Sequence, residues 1–566
     1  MYSLFLRIIN NKSNYKKIIN YFLLIIAILI LTKIHPFTSY YYKALENKLK
    51  NGLIIKKYSL SFIAGGVVPH HLVAEKIIKD FFEYISSKEN PDTIVLLGPD
   101  HFKSGFLCNE TSFISVSPEI KEFNGVLVDT ILLKQLFKKN KFCLNKYFIS
   151  LDHSITNLLP YIKFYFPKTK IVPILIPFTI TEKEIDSLIE SINLYRNSKT
   201  IIIGSVDFSH YLPKDIARFH DLKSIRVLLN FERENFRKLE VDCWQCLYGV
   251  RRFARLQSKE DFEIIGYGNS VDFVKKESDE TTSYFSVVFK KGSFTKKLSE
   301  QEVTTLLFVG DVIFDEKLNK LLMNNNFLYP FEKIKRFLQG IDLVVGGLEI
   351  SVDKNSFNKN AKFNSLEDFI ASLSFANFNL LLLSNGYSFN IYERYFNKLK
   401  EFLFINKINF LGDYLKCDDN FLFENDKIIL LYFNKNNTLD CEDYKIIQIV
   451  KNTRSSNSKK FIIVAIKWID DNQTKASDYQ RRLAHKIIES GADLIIGMNP
   501  RAVKEIEEYK GKLIFYSLGN FIYSGYISEK NDKNLILGLE IYPEKVVYRF
   551  FPIKINFYQP SLMDEE

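Results

Sequence analysis

The sequence predicts an α/β protein: an N-terminal membrane anchor helix followed by two α/β domains. Three observations lead there. The chain has 566 residues, more than a single hydrophobic core organises. Short apolar runs, each closed by glycine, proline or polar residues, alternate with amphipathic segments from about Tyr58 onward. A lone longer apolar run, Ile18 to Thr32, stands behind a cluster of basic residues.

The elements follow in order. Arg7, Lys12, Lys16 and Lys17 precede "IINYFLLIIAILILT", and no small-residue cleavage site follows it. This pattern reads as an uncleaved anchor with its N-terminus inside, which would put both domains outside the cell membrane in a single-pass arrangement. Pro36 to Lys57 is polar and aromatic and reads as a stalk, so residues 1–57 form tail, anchor and stalk. "SFIAGGVV", "DTIVLLGPDH", "KIVPILIPF" and "TIIIGSVDFSH" read as buried strands, with "LVAEKIIKDFFEYISS" as an intervening amphipathic helix. A last strand begins at Thr282, so the first domain takes residues 58–290 and a charged linker 291–303. "TTLLFVGDVIF", "DLVVGGLE", "NLLLLSNG", "FIIVAIKW", "DLIIGMNP" and "KLIFYSLGNFIY" supply the strands of a second domain, residues 304–566.

Composition bounds the function. Apolar residues at 46% and charged residues at 25% are ordinary for folded protein. The net charge of +11 is spread along the chain, without the clustered basic face that nucleic-acid binding requires. It suits a solvated lysine surface or attraction to an anionic envelope polymer. Six cysteines are too few for a disulfide scaffold in a chain of this size.

The eight histidines are placed unevenly. His70 and His71 follow the "GGVV" strand in "PHH", His101 follows "LLGPD", His153 lies in "LDHS", His210 ends "SVDFSH" three residues after Asp207, and His220 comes a little later. Residues just past the carboxyl ends of parallel strands share one rim, where ligands bind in α/β sheets. That rim offers two or three imidazoles and Asp207, and "VDCWQCLYGV" offers a thiol. These are metal donors, although a single histidine after a strand is often only structural. Cys243 and Cys246 also form a C-x-x-C pair, open to redox or disulfide use.

"GGVVPHH", "VLLGPDHF", "LDHSITNLLPYI", "KIVPILIP", "GSVDFSHY" and "TTSYFSVVF" together resemble the Memo-like family, whose bacterial members are called AmmeMemoRadiSam system protein B. The resemblance spans about Ser59 to Lys290. It implies a fold like that of the class III extradiol dioxygenases. It also implies a single metal ion, iron or copper rather than zinc, held by His70, His101 and Cys243. Asp207, His210 and His153 would act catalytically around it. Asp152 stands where the family carries glutamate. His71 stands where the family has a small residue, and in an extended segment it would point to the other face. The family's system name implies a functional link to a radical-SAM protein.

"LLFVGDVIF", "VVGGLEISV", "GADLIIGMNP" and "KLIFYSLGNFIY" resemble the CapA family of poly-gamma-glutamate synthesis proteins, which implies a metallophosphatase-like α/β sandwich over about Thr304 to Tyr558. Asp311 and Glu349 match that family's acidic positions, whereas Tyr387, Lys467, Asn499 and Arg501 replace its histidines. A dinuclear site needs several imidazole and carboxylate donors. The domain is therefore expected to bind a ligand, an anion or envelope partner, without catalysis. The expected whole is a membrane-anchored, dioxygenase-like metal oxidoreductase. Its rivals are a zinc-dependent hydrolase and a non-enzymatic envelope binding protein.

Overall fold

A computed structural model describes residues 62–563 except 109–110, 275–279, 293–298, 325, 352–360, 385–388, 413–420, 436–440, 469–472, 499–501 and 524–533. These residues form a mixed α/β structure. The first sheet runs, in spatial order, Asp261–Asn269, Thr281–Lys290, Ile63–Val68, Thr200–Ser205, Thr93–Pro99, Lys170–Ile176, Phe113–Ser115 and Phe142–Leu144. Ile63–Val68, Thr200–Ser205, Thr93–Pro99 and Lys170–Ile176 are mutually parallel. Their carboxyl ends consequently open on one rim. These strands are buried almost throughout, as their unbroken Val/Ile/Leu runs require of a sheet covered on both faces. The double glycine in the first strand has a steric cause. A Cβ on Gly65 would lie 1.8 Å from the Ile202 carbonyl oxygen, and one on Gly66 would lie 2.3 Å from that of Val287.

The described residues of the second half form two sheets. Asn409–Leu411, Phe378–Ser384, Leu343–Ser351 and Thr304–Asp315 are parallel neighbours and continue into the antiparallel Asn534–Ile541, Val546–Asn556 and Gln559–Leu562. The other sheet contains Ile428–Asn434, Phe461–Lys467, Leu494–Met498 and Lys512–Phe515 in parallel, with one antiparallel strand at each edge. Leu306, Phe308 and Leu380 of the first and Leu430, Ile463 and Ile496 of the second share one core.

The two halves pack as parts of one compact unit. The helix Lys214–Asn230 is buried along most of its length and serves both cores. Val227, Leu228 and Leu229 pack into the first half, while Ile216, Ala217 and Phe219 pack with Phe337, Leu338 and Phe551 of the second. Polar groups of the same helix reach across. The His220 Nε2–H donates to the Phe337 carbonyl at 2.8 Å, Lys223 donates to the Ile341 carbonyl at 2.7 Å, and Arg226 grips Asp342 through both carboxylate oxygens at 2.6 and 2.8 Å. Gly340 is required here, because a Cβ would meet the His220 ring at 2.3 Å.

The single-pass placement in the membrane is corrected. No helix among the described residues is long and apolar enough to cross a bilayer. The run Ile18–Thr32 lies outside the described residues, as does the stalk.

Candidate functional site

His70 leaves the first strand through Pro69 and is 1% exposed. Its backbone N–H donates to Asp207 Oδ1 at 3.1 Å. Its ring Nδ1 lies 3.1 Å from Ser205 Oγ, and that hydroxyl donates its own proton to the Ser154 carbonyl. The Ser205 oxygen therefore accepts from Nδ1–H, which leaves the Nε2 lone pair free. Nε2 stands 3.4 Å from Asp207 Oδ2 and 3.5 Å from Asp242 Oδ2.

His101 follows the parallel strand Thr93–Pro99. Its Nδ1 lies 2.9 Å from Asp152 Oδ1, and its backbone N–H donates to Asp152 Oδ2 at 3.0 Å. The fully buried Asp152 also accepts from the Ser154 hydroxyl and backbone N–H. A carboxylate so placed takes the His101 Nδ1 proton and again turns Nε2 outward, as second-shell carboxylates do for metal-binding histidines. His153 opens the short helix His153–Thr156 and stacks on His101 with ring centroids 4.2 Å apart and a 20° interplanar angle. It meets His70 edge-on at 5.0 Å.

Two donor groups result, with all ligand atoms of each lying within 4.8 Å of one another: His70, His101 and His153, and His70, Asp207 and Asp242. Two donors about 2.1 Å from one ion at a tetrahedral angle stand roughly 3.4 Å apart. The spacing from His70 Nε2 to the two carboxylates fits that edge, so the residues suit a metal ion. Their electrostatics suit one too. Burial, and then the neighbouring His101 and His153, hold the His70 pKa well below the ordinary histidine value, so the ring is neutral. Burial pushes Asp207 and Asp242 upward, and Asp207 adds to the rise of Asp242. Two carboxyls this close titrate as a pair.

Several expected roles change. Cys243 is disulfide-bonded to Cys246, so no thiolate is available as third ligand. His153, expected to be catalytic, stands in the donor group instead. Asp207 addresses His70, and no hydrogen bond joins it to His210. His210 starts the strand His210–Leu212, apart from both donor groups. His71 is exposed and caps the turn Leu72–Ala74, its Nδ1 accepting from the Val73 N–H. Asp242 is a candidate donor that sequence reasoning passed over. It directly precedes Cys243 in "VDCWQC", where the cysteines draw the eye.

In the second half, Asp311 on Thr304–Asp315 and Glu349 on Leu343–Ser351 lie on adjacent parallel strands, with Asp311 opposite Gly347. A Cβ at Gly347 would stand 2.3 Å from the Asp311 carboxylate, so the carboxylate fills the space of a side chain there. Lys467 closes the strand Phe461–Lys467, is 2% exposed, and sets its ammonium 2.9 Å from Glu349 Oε2. Tyr387, Asn499 and Arg501 lie outside the described residues. His485 faces Glu507 at 2.7 Å and stacks on Tyr509, remote from these acids in role and partner.

Residues 41–288 match the family model described as Memo-like protein, and residues 305–524 match that described as Bacterial capsule synthesis protein PGA_cap. The Capsule biosynthesis protein CapA of Bacillus anthracis is 25% identical over 273 residues, covering 42% of this chain and 64% of its own length. This chain thus spans less than two thirds of that relative. A MEMO1 family protein of Caldivirga maquilingensis is 22% identical over 246 residues, 42% of this chain and 86% of its own. Another, from Pyrobaculum aerophilum, is 27% identical over 244 residues, 40% of this chain and 83% of its own. The chain joins a Memo-like domain to a CapA-like domain.

Proposed function

We propose that the Memo-like half binds one metal ion on His70, His101 and His153 and acts as a dioxygenase-like oxidoreductase, and that the CapA-like half binds a ligand without catalysis. The single observation that supports this most is the convergence of three imidazoles, two of them with Nδ1–H engaged and Nε2 free, on a point flanked by Asp207 and Asp242. A mixed imidazole and carboxylate donor set suits non-haem iron, and copper accepts the imidazoles. The bound ion supplies redox chemistry or Lewis acidity. The chain's residues do the rest. Ser205 and Asp152 hold two rings in the ligating tautomer. The Asp207–Asp242 pair, raised by burial, can hold a proton beside the site and pass it to or from a bound ligand.

A zinc-dependent hydrolase is the second reading, favoured by one observation. With Cys243 bonded to Cys246, the soft donor that would select copper is absent, and three imidazoles with an open position also suit catalytic zinc. Elemental analysis of the full chain purified without oxygen separates the two. Iron or copper near one per chain supports the oxidoreductase, zinc at that ratio supports the hydrolase, and no metal defeats both. The extended domain division (58–290, 291–303, 304–566) and the link to a radical-SAM protein belong to this proposal as well.

A further inference from the structure

We infer that His70, Asp207 and Asp242 form a second metal position, built for a hard divalent ion of the manganese(II) or iron(II) kind, which shares His70 with the imidazole position so that the chain holds an ion in one or the other. The inference rests on the proposed metal reading for His70 and adds that the choice of metal decides where the ion sits.

The donors come from three segments. His70 follows the strand Ile63–Val68, Asp207 follows Thr200–Ser205, and Asp242 precedes the helix Trp244–Leu256. Backbone hydrogen bonds lock these segments together. Asp207 donates its N–H to Asp242 Oδ2 at 3.1 Å, and Asp242 donates its own N–H to the Asp207 carbonyl at 3.3 Å. The Val206 N–H donates to the Val68 carbonyl at 3.0 Å, which ties the Asp207 turn to the strand that leads to His70. Asp207 Oδ1 is taken by the His70 N–H, so Oδ2 is the oxygen turned to the ring. The geometry is thus set by main chain before any ion arrives.

What this bracket lacks is a donor. His70 is 1% exposed, and its ring hydrogen bond runs through Nδ1 to Ser205, so Nε2 meets the acids as a bare lone pair. Asp207 Oδ2 and Asp242 Oδ2 stand 3.4 and 3.5 Å from it. Asp242 Oδ1 is buried and has no hydrogen-bond partner among the described residues. Buried acceptors are normally satisfied. A shared proton satisfies one pair of these atoms, whereas a divalent ion satisfies all of them. Donors about 2.2 Å from one ion stand roughly 3.1 Å apart at a right angle and roughly 3.6 Å apart at a tetrahedral one, and both distances from Nε2 fall between.

The two positions differ in hardness. Carboxylate oxygen suits manganese, imidazole suits zinc and copper, and iron accepts both. They also exclude each other. His70 Nε2 has one lone pair, and Nδ1 keeps its proton for Ser205, so the ring cannot bridge two ions. With a hard ion on the acids, His101 and His153 stand beside it as unligated imidazoles that can accept or give a proton. The rings that hold a softer ion then do acid–base work.

The test is equilibrium dialysis of the metal-stripped full chain against manganese(II) alone, zinc(II) alone, and both together. Metal per chain is read, with circular dichroism confirming the fold. Wild type should hold one manganese or one zinc, and zinc should expel manganese one for one. Asp207→Asn and Asp242→Asn should each weaken manganese binding by about tenfold or more and leave zinc near wild type. His153→Gln should do the reverse, and His70→Gln should lose both. No manganese on wild type, manganese affinity unchanged in both aspartate variants, equal weakening of the two metals in those variants, or two ions per chain in the mixture overturns the inference. Manganese that depends on the aspartates, in a chain whose zinc is absent or unchanged by His153→Gln, leaves the acid position standing and removes the three-imidazole reading.

Discussion

The two halves place carboxylates in comparable positions and face them with opposite partners. Asp207 follows the parallel strand Thr200–Ser205, while Asp311 and Glu349 sit on the parallel strands Thr304–Asp315 and Leu343–Ser351. In the Memo-like half the acids face a buried, neutral imidazole whose lone pair is open. In the CapA-like half Glu349 faces the ammonium of Lys467, a cation carried by the chain itself. Strand ends of an α/β sheet supply acids readily. Whether such a cleft needs a metal depends on what charge the next strand brings. A neutral donor supplies the carboxyls with no counter-charge, whereas a lysine completes the charge balance within the chain.

The largest effect that would break this contrast is loss of metal. His70→Ala should abolish stoichiometric metal binding by the full chain, and His71→Ala should leave most of it, read as metal per chain with circular dichroism confirming the fold. The reverse pattern would mean that the ligating atom has been assigned to the wrong ring. The CapA-like half should contribute no metal in either variant.

The next concerns a buried histidine that no metal serves. Burial brings the His220 pKa down to about 4. Between about pH 6.5 and 4 the unfolded chain binds a proton at this residue and the folded chain does not. Stability therefore rises with pH across that window and is lost as pH falls through it. The depression corresponds to roughly 3 kcal/mol. Asp221, pushed up to about 6, works in the opposite sense, but it is present in both proteins to be compared. Urea unfolding of His220→Gln and wild type at pH 6.5 and 4.5 should show the smaller acid loss in the variant. Saturating metal should not change that difference, because His220 lies in the seam between the halves. A metal-dependent difference would couple seam and site.

A smaller effect is expected at Lys467. Lys467→Met leaves Glu349 without its ammonium, and Glu349 is 26% exposed, so solvent screens part of the cost. A loss of about 2 kcal/mol is expected by urea unfolding, below the range for fully buried pairs. No loss would mean that the ion pair does not stabilise the cleft, and the lesson drawn from it would fail.

Much of the first site was legible because its signals are local. Proline before His70, glycine and proline before His101, and the apolar runs ahead of both mark strands that end on a rim. Lys467 was legible as a cation beside the acids, but the sequence reads it toward an anionic ligand, whereas its ammonium pairs with Glu349 of the chain itself. Asp242 was not, because an acid beside two cysteines carries no periodic signal. Nor was the seam. His220 stands in the sequence only as one more histidine after the strand ends, nothing marks Lys223 or Arg226, and only tertiary packing shows that their helix lies between two cores. The state of Cys243 escaped the sequence for a related reason. Sequence gives Cys243 as a thiol near the rim but cannot pair it, and the pairing with Cys246 decides its chemistry.

That pairing yields the smallest expected effect. Cys243 caps the helix Trp244–Leu256, its sulfur accepting from the Cys246 N–H at 3.1 Å, and Cys243 and Cys246 are both buried. If the disulfide holds both sulfurs, Cys243→Ser and Cys246→Ser should behave alike. Each should cost modest stability and leave metal content and metal preference near wild type, because the donor group His70, His101 and His153 is intact. Asp242, one residue earlier, is held by a different bond: its Oδ2 accepts from the Asp207 backbone N–H at 3.1 Å. Asp242→Asn should therefore disturb the carboxyl pair beside His70 more than either cysteine change does. The measurement is metal content and metal identity for all three variants under oxidising conditions, repeated after treatment with a dithiol. If Cys243→Ser alone changes metal preference, and does so only after reduction, the thiolate joins the ligands in the reduced protein. The first half would then differ from the second by a soft sulfur donor as well as by neutral imidazole.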